Sequence, residues 1–287
     1  MVVAACLVST SFTVGAAITR HLDPVLLTLV RFVLAALLFA PLVAVRHGLS
    51  FSFSILLRCS LISGCLVIFF CCMFWALRYT SALNTSVIFA LVPSISGGYA
   101  LLLNKEERLD RAHLLALACG LVGTVWVIFR GDPGQLLAMQ WNRGDLIFFA
   151  GCCAMGLYTP LIKRLHRGEP MAVMTLWVLV TGCLWLLLLS GADLGRVDWG
   201  RVPLELWLGV AYLAVFTTII TFFLTQYAVP VLGPTRVMAY SYLYPGLVLV
   251  IELALGHGLP PLRVIPGVVV VLAAMFILQR HGVEERV

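Results

Sequence analysis

Long apolar runs alternate with short polar breaks along this chain. The runs fall near Val2–Thr19, Val25–Val45, Cys59–Leu77, Ala82–Leu103, Ala112–Phe129, Leu146–Ile162, Met171–Leu189, Leu204–Ala228, Thr235–Leu255 and Val264–Leu278. A helix needs about 20 apolar residues to cross the hydrocarbon of a bilayer, so the pattern predicts ten membrane-spanning helices. The break at Gly131–Arg143, which holds the turn signal Gly131-Asp132-Pro133-Gly134, splits them into two sets of five. Five is odd, so a repeated five-helix unit must enter the membrane in opposite senses in its two copies. Inverted repeats with the solute site between the halves are the usual build of secondary transporters. The expected fold is therefore an all-α integral membrane protein with ten transmembrane helices in two inverted five-helix repeats, over residues 1–130 and 144–280.

Markers inside the runs support the duplication. Asp23-Pro24 opens the second run and Glu169-Pro170 the seventh. An acid beside Pro suits a helix start, since the carboxylate can cap free N–H groups and Pro needs no donor there. Ser81 precedes Pro93 by the interval that separates Gly233 from Pro245, and Leu109 and Leu259 introduce the fifth and tenth runs. Pro93 and Pro245 interrupt the fourth and ninth runs. Each removes a backbone donor, and in a membrane that break must face protein or a wet cavity. The pair is read as hinge candidates, with static kinks as the competing reading.

Composition and charge then narrow the class. The chain is 62% hydrophobic and 11% charged, against about 25% charged in soluble domains. Ten spans leave short loops and no room for a soluble catalytic domain. The net charge of +6 is scattered among loops, so it reads as topology signalling and not as a nucleic-acid arm. With the amino terminus inside, the inner loops hold more of the Lys and Arg, the cluster Lys163, Arg164 and Arg167 among them. Both termini are therefore expected in the cytoplasm, with the protein in a bacterial inner (plasma) membrane. Trp141 and Trp199 then suit the outer interfacial belt. The first run lacks a basic n-region and a small-residue cleavage site, and reads as a retained helix.

The nine cysteines form no C-x-x-C pair and lie in or beside apolar runs. They read as small packing residues, with no disulfide framework, metal site or cofactor expected. A P-loop and a Gly-x-Ser-x-Gly elbow are both missing, so ATP hydrolysis and serine-hydrolase chemistry are not expected.

Particular residues carry a family resemblance. Ser11-Phe12-Thr13-Val14, Arg31-Phe32, Ala35-Ala36, Ala76-Leu77-Arg78-Tyr79-Thr80-Ser81-Ala82, Pro93 and Glu107-Arg108-Leu109 resemble the EamA-type module of the drug/metabolite transporter superfamily. A weaker second copy runs through Gly233-Pro234-Thr235, Tyr244-Pro245 and Gly256. The resemblance implies ten helices, a pseudo-twofold axis in the membrane plane and a central cavity lined mainly by helices 1, 3, 4, 6, 8 and 9. Members of that superfamily move amino acids, other metabolites and drugs. The chain departs from the pattern at Val8-Ser9, at Tyr244 and at His257. The last two weaken any mechanism built on symmetric carboxylates.

Two charges lie well inside the runs, Arg31 and Glu252, whereas Glu205 and Arg236 sit at the very start of theirs. A charge at the centre of a span costs about 2.5–3.5 kcal/mol on insertion scales, so each should face protein or water. Arg31 reads either as a pin to a neighbouring carbonyl or acid, or as a binder of a substrate carboxylate. Glu252 reads as interfacial or paired, with Arg31 a candidate partner, or as the carrier of a coupling proton. The aromatic cavity candidates are Phe12, Trp75, Tyr158, Tyr240 and Tyr244. Phe12 aligns with Tyr158 under the repeat, and Tyr240 and Tyr244 share a helix face. The polar candidates are Asn84, Gln226 and the stripe Thr217, Thr221 and Thr225. Ordinary helix packing is the alternative for all of them. Ala112, Ala116, Gly120 and Thr124 form a small-residue stripe on the fifth run, read first as intramolecular packing and second as a homodimer face.

These observations point to a secondary transporter of small organic solutes, amino acids or related metabolites, working by alternating access and most simply by efflux. Its partners would be the solute and the lipid bilayer, with no nucleic acid. A membrane scaffold or receptor is the first alternative, and an intramembrane enzyme the second.

Overall fold

The computed structural model describes residues 1–48, 52–103, 111–128, 131–132, 134, 142–256 and 262–280. The described chain is helical: α1 (Val2–Ile18), α2 (Pro24–His47), α3 (Phe53–Ala76), α4 (Ala82–Phe89), α5 (Val92–Leu103), α6 (Arg111–Ile128), α7 (Arg143–Leu165), α8 (Met171–Ser190), α9 (Leu204–Ala214), α10 (Thr221–Leu232), α11 (Pro234–Ala239), α12 (Tyr244–Ala254) and α13 (Ile265–Arg280). A π-helical turn, Val215–Ile220, joins α9 to α10 without a break, and a 3₁₀ turn, Tyr240–Leu243, joins α11 to α12. Among the described residues, six stretches are long and apolar enough to cross a membrane: Pro24–His47, Phe53–Ala76, Asn84–Leu103, Arg143–Leu165, Met171–Ser190 and Leu204–Leu232. Val2–Ile18 and Ile265–Ile277 are shorter apolar helices.

Each long helix buries one stripe and leaves another apolar stripe outside. On α2, Arg31, Phe32, Ala35, Phe39 and Val43 are buried while Leu37, Leu38, Leu42 and Val45 are exposed. An exposed stripe this apolar belongs against lipid and not water.

Lipid gives helices little hydrophobic drive to associate, so close approach of backbones has to supply it. Glycines mark the closest crossings. A Cβ at Gly182 would lie 2.8 Å from the Phe32 ring, where α8 crosses α2. One at Gly151 would lie 2.8 Å from the Cys72 Cβ, where α7 crosses α3. One at Gly123 would lie 2.9 Å from the Gly267 carbonyl, where α6 crosses α13. Ala116 and Gly120 of the small-residue stripe on α6 thus face their own chain: Ala116 is buried, and a Cβ at Gly120 would collide with the Tyr242 hydroxyl. Hydroxyl pairs add to the crossings, Thr181 to Ser63 at 2.9 Å and Ser96 to Thr159 at 3.0 Å.

Helices α3 and α7 run antiparallel and are tied at both ends. At one end Arg58 of α3 forms an ion pair with Glu169 and donates to the Leu165 carbonyl at 2.6 Å. At the other, Asn142 and Asp145 make a capping box on α7, Asn142 donates to the Tyr79 carbonyl, and Thr80 donates to Asp145 at 2.8 Å. Arg78 closes the same end by donating to the Thr19 and Leu22 carbonyls.

Two expectations need correction. Asp23 caps α2 by accepting from the Val25 N–H at 2.9 Å, but Glu169 does not cap α8. Its carboxylate takes Arg58 and the Arg167 N–H instead, because Arg58 offers a full charge where a helix end offers partial ones. The third helix begins at Phe53, ahead of the expected Cys59, since Arg58 finds partners at the helix end and no longer marks a loop.

Candidate functional site

Pro93 and Pro245 fall at equivalent places. Each is the second residue of a helix that follows a break, α5 after the interruption at Ala90-Leu91 and α12 after the 3₁₀ turn. Pro is tolerated there because its missing N–H would be unpaired in any case. Ser81 starts the first broken pair as N-cap, accepting from the Asn84 N–H at 3.1 Å. Gly233 starts the second with φ at +88°, a conformation that favours glycine. Tyr244, beside Pro245, enters a central cavity through this break.

The cavity measures about 50 Å³. Phe12, Ser11, Val8 and Ala4 of α1, Arg31 of α2, and Phe69, Phe70 and Met73 of α3 supply one part of its wall. Phe89, Met155 and Tyr158 supply another, and Thr217, Thr221, Phe222, Thr225, Val237, Met238 and Tyr244 complete it. Toward the later part of α1 the wall is a cluster of rings. Phe12 lies 6.0 Å from Phe89, 6.2 Å from Phe148 and 6.1 Å from Tyr244, between ring centres. Phe69 joins at 5.3 Å from Phe89, and Phe89 sits 5.1 Å from Tyr244. Edge and tilted contacts dominate, the geometry that ring quadrupoles favour.

Arg31 is the fully buried charge in this wall. Its Nε donates to the Thr218 hydroxyl at 2.6 Å, and Nη2 donates to both the carbonyl and the hydroxyl of Thr217 at 3.0 Å. The guanidinium carbon lies 4.3 Å from the Phe70 ring centre, a desolvated cation–π contact worth about 2 kcal/mol. Nη1 is buried with no hydrogen-bond partner. Among the described residues no carboxylate forms an ion pair with Arg31. The side chain of Glu252, the expected candidate, lies outside the described residues.

The π-helical turn makes this arrangement. A wider turn loosens the backbone ladder, and π turns inside helices often sit at functional sites. Here hydroxyls fill in: Thr217 and Thr218 both donate to the Leu213 carbonyl, at 3.0 and 2.8 Å, and Thr221 donates to the Thr217 carbonyl at 2.9 Å. Both hydroxyl oxygens keep lone pairs for Arg31.

The sequence-derived candidates divide. Phe12, Tyr158, Tyr244, Arg31 and the threonine stripe line the cavity together. Gln226 stands behind it, fully buried, donating to the Tyr158 hydroxyl at 3.3 Å and accepting from Thr175 at 2.9 Å. Trp75 is exposed and stacks on Arg78, Asn84 donates to Thr80 near the start of α4, and Tyr240 begins the 3₁₀ turn without lining the cavity. Sequence reasoning missed Thr218 and the rings Phe69, Phe70, Phe89, Phe148 and Phe222.

A family model described as the EamA-like transporter family matches residues 1–129 and 142–279. The chain is 26% identical over 203 residues to the uncharacterized transporter YyaM of Bacillus subtilis (strain 168), a match over 70% of this chain and 66% of that protein. A protein solved by crystallography superposes with a TM-score of 0.74 at 18% identity, over 99% of this chain and 96% of that one. That likeness is one of fold.

Proposed function

The chain belongs to the EamA-like transporter family, is a multi-pass membrane protein, and on that premise we propose that it is a secondary carrier of small organic solutes through the Arg31 cavity. The observation that carries this reading is the cavity itself: a buried, unpaired guanidinium nitrogen among rings and hydroxyls contributed from both halves of the chain. A scaffold has no use for such a group, and an unpaired buried donor costs about 1–3 kcal/mol, more when charged.

The ten-helix reading joins α4 to α5, α9 to α10 and α11 to α12, each as one broken span. Two inverted repeats then account for several contacts at once. Their second helices, α2 and α8, meet antiparallel, with Arg46 and His47 at the end of α2 and Pro170 and Met171 at the start of α8 lining one cleft. Their fifth helices, α6 and α13, also meet antiparallel, with Trp126 donating to the Arg263 carbonyl at 2.8 Å. A twofold axis in the membrane plane requires this of equivalent helices that touch.

A cavity of about 50 Å³ holds no more than a few water-sized molecules, so an amino-acid-sized solute enters only when the walls part. With the amino terminus inside, Met1 and Ala4 lie on the cytoplasmic side and the ring cluster closes the outer side. Alternating access would exchange these two barriers by rocking at the breaks beside Pro93 and Pro245, and the cell would use the cycle for efflux. Reconstitution into proteoliposomes tests the proposal. At least one member of a panel of labelled amino acids and organic acids should show saturable, counterflow-stimulated flux that empty vesicles lack. Binding without flux would favour a receptor, and release of an altered product would favour an enzyme.

A further inference from the structure

A buried arginine commonly spends its donors on an acid. Arg31 spends one edge, Nε and Nη2, on the π turn and leaves Nη1 unpaired in a side chain that lines the cavity. Cavity and guanidinium are fixed to each other: Phe70 and Thr217 both touch Arg31 and both line the space. No Asp, Glu, Lys or second Arg appears among the described lining residues. Among the described residues the wall thus carries one positive charge with no ion-pair partner, no group to neutralise an ammonium, and otherwise rings, aliphatic and methionine side chains and hydroxyls.

We infer that the cavity is selective for a net-anionic monocarboxylate with an apolar body, the carboxylate held by Nη1 of Arg31 and the body by Phe12, Phe70, Phe89 and Tyr244. This deepens the carrier reading and rests on it. A zwitterionic amino acid would bring a second charge to a wall that offers it only ring faces and hydroxyls. A phosphate ester, near two negative charges, would meet a single cation with most of its donors engaged. The carboxylate supplies what Arg31 lacks, an acceptor for a charge-assisted hydrogen bond in a desolvated place.

The test uses purified full-length protein in detergent, with thermal stability read against increasing phenylacetate, phenylacetamide, phenylalanine and phenyl phosphate. Phenylacetate should raise Tm saturably, with the amide, the zwitterion and the phosphate weaker by about tenfold or more in apparent affinity, the scale of a charge-assisted hydrogen bond. Arg31→Lys keeps the charge but loses the planar fork, and should weaken phenylacetate by a similar factor. If that variant does not fold, the wild-type series alone decides. Equal shifts for acid and amide, a larger shift for phenylalanine or phenyl phosphate, or no shift with phenylacetate would overturn the inference. Flux of neutral or cationic solutes without phenylacetate binding would leave a carrier but remove the anion site. Phenylacetate binding with no flux of any solute would keep the site and remove the carrier.

Discussion

Nη2 of Arg31 donates to both oxygens of Thr217 at 3.0 Å, so a charge on α2 is held by the wide turn between α9 and α10. The two residues lie far apart in sequence and on opposite sides of the chain's midpoint. Their contact therefore ties the halves together at the depth of the cavity. With Thr218 accepting from Nε at 2.6 Å, the guanidinium is held by three hydrogen bonds along one edge.

Thr218→Val keeps the shape of the side chain and removes that acceptor. It should lower stability by about 1.5–3 kcal/mol, the usual range for a hydrogen bond to a charged group. Thr218→Ser should stay close to wild type. Thermal melts of both variants in detergent check this, and equal melting temperatures for Val and Ser would show that the Nε contact contributes nothing.

Acid should act through Glu169, which lies in the connection between α7 and α8. Burial pushes its carboxyl up, but the hydrogen bond from Arg58 and the Arg167 N–H outweigh this and hold it below its ordinary value of 4.5. A carboxyl depressed by folding stabilises the fold above its unfolded pKa, and that contribution is lost as pH falls through the lower folded value. Wild type should thus lose melting temperature on acidification below about pH 4.5, while Glu169→Gln starts lower and loses less over that window. Parallel curves for the two proteins would rule this out.

At the α6–α13 crossing a side chain has nowhere to go. Gly123→Ala places its Cβ 2.9 Å from the Gly267 carbonyl, a backbone atom that cannot swing aside. Overpacking of this kind costs about 1–3 kcal/mol. Gly98→Ala, also helical but with nothing within 4 Å of the new Cβ, is the matched control and should be neutral or slightly stabilising. The difference between the two melting temperatures reads the crossing alone.

Sidedness is testable with single cysteines in a cysteine-free background. Gly195→Cys sits in the long connection after α8 with open space around it, and Arg167→Cys sits before α8. In intact cells a membrane-impermeant maleimide should label the first and not the second, with the second labelled only after permeabilisation. The reverse pattern would invert the orientation, and labelling of both from outside would break the span count between them.

Six of the expected spans and the breaks at Pro93 and Pro245 were legible because hydropathy is a one-dimensional property and because Pro leaves few backbone options. Pro93 and Pro245 could be placed at interruptions from their spacing to Ser81 and Gly233. Arg31 could be singled out because a charge at that depth needs a partner. The rings could not be sorted. Phe70 against Arg31 and Phe53, exposed at the start of α3, obey the same composition rule, and only packing separates them. Trp75 carried the strongest aromatic signal in its helix yet faces outward, while its neighbour Phe74 is buried. Thr218 escaped notice because a threonine stripe at regular helical spacing passes through Thr217, Thr221 and Thr225. The wide turn brings in the neighbour of one member, and nothing in the residue types announces such a turn.

That turn also sets the rotational phase of α10. An α-helix advances about 100° per residue, and a π turn holds one residue more than its α equivalent. The wide turn takes up a residue that regular helix would turn into a swivel of α10 by about that angle. Deleting one residue from Val215 to Ile220 would let the segment wind down to regular helix and leave Gln226 facing Tyr158, but the five-residue step by which Thr218 reaches the Leu213 carbonyl would be lost, and with it the paired hydroxyls that hold Arg31. A length change invisible to hydropathy would thus strip a buried cation of its partners without disturbing insertion.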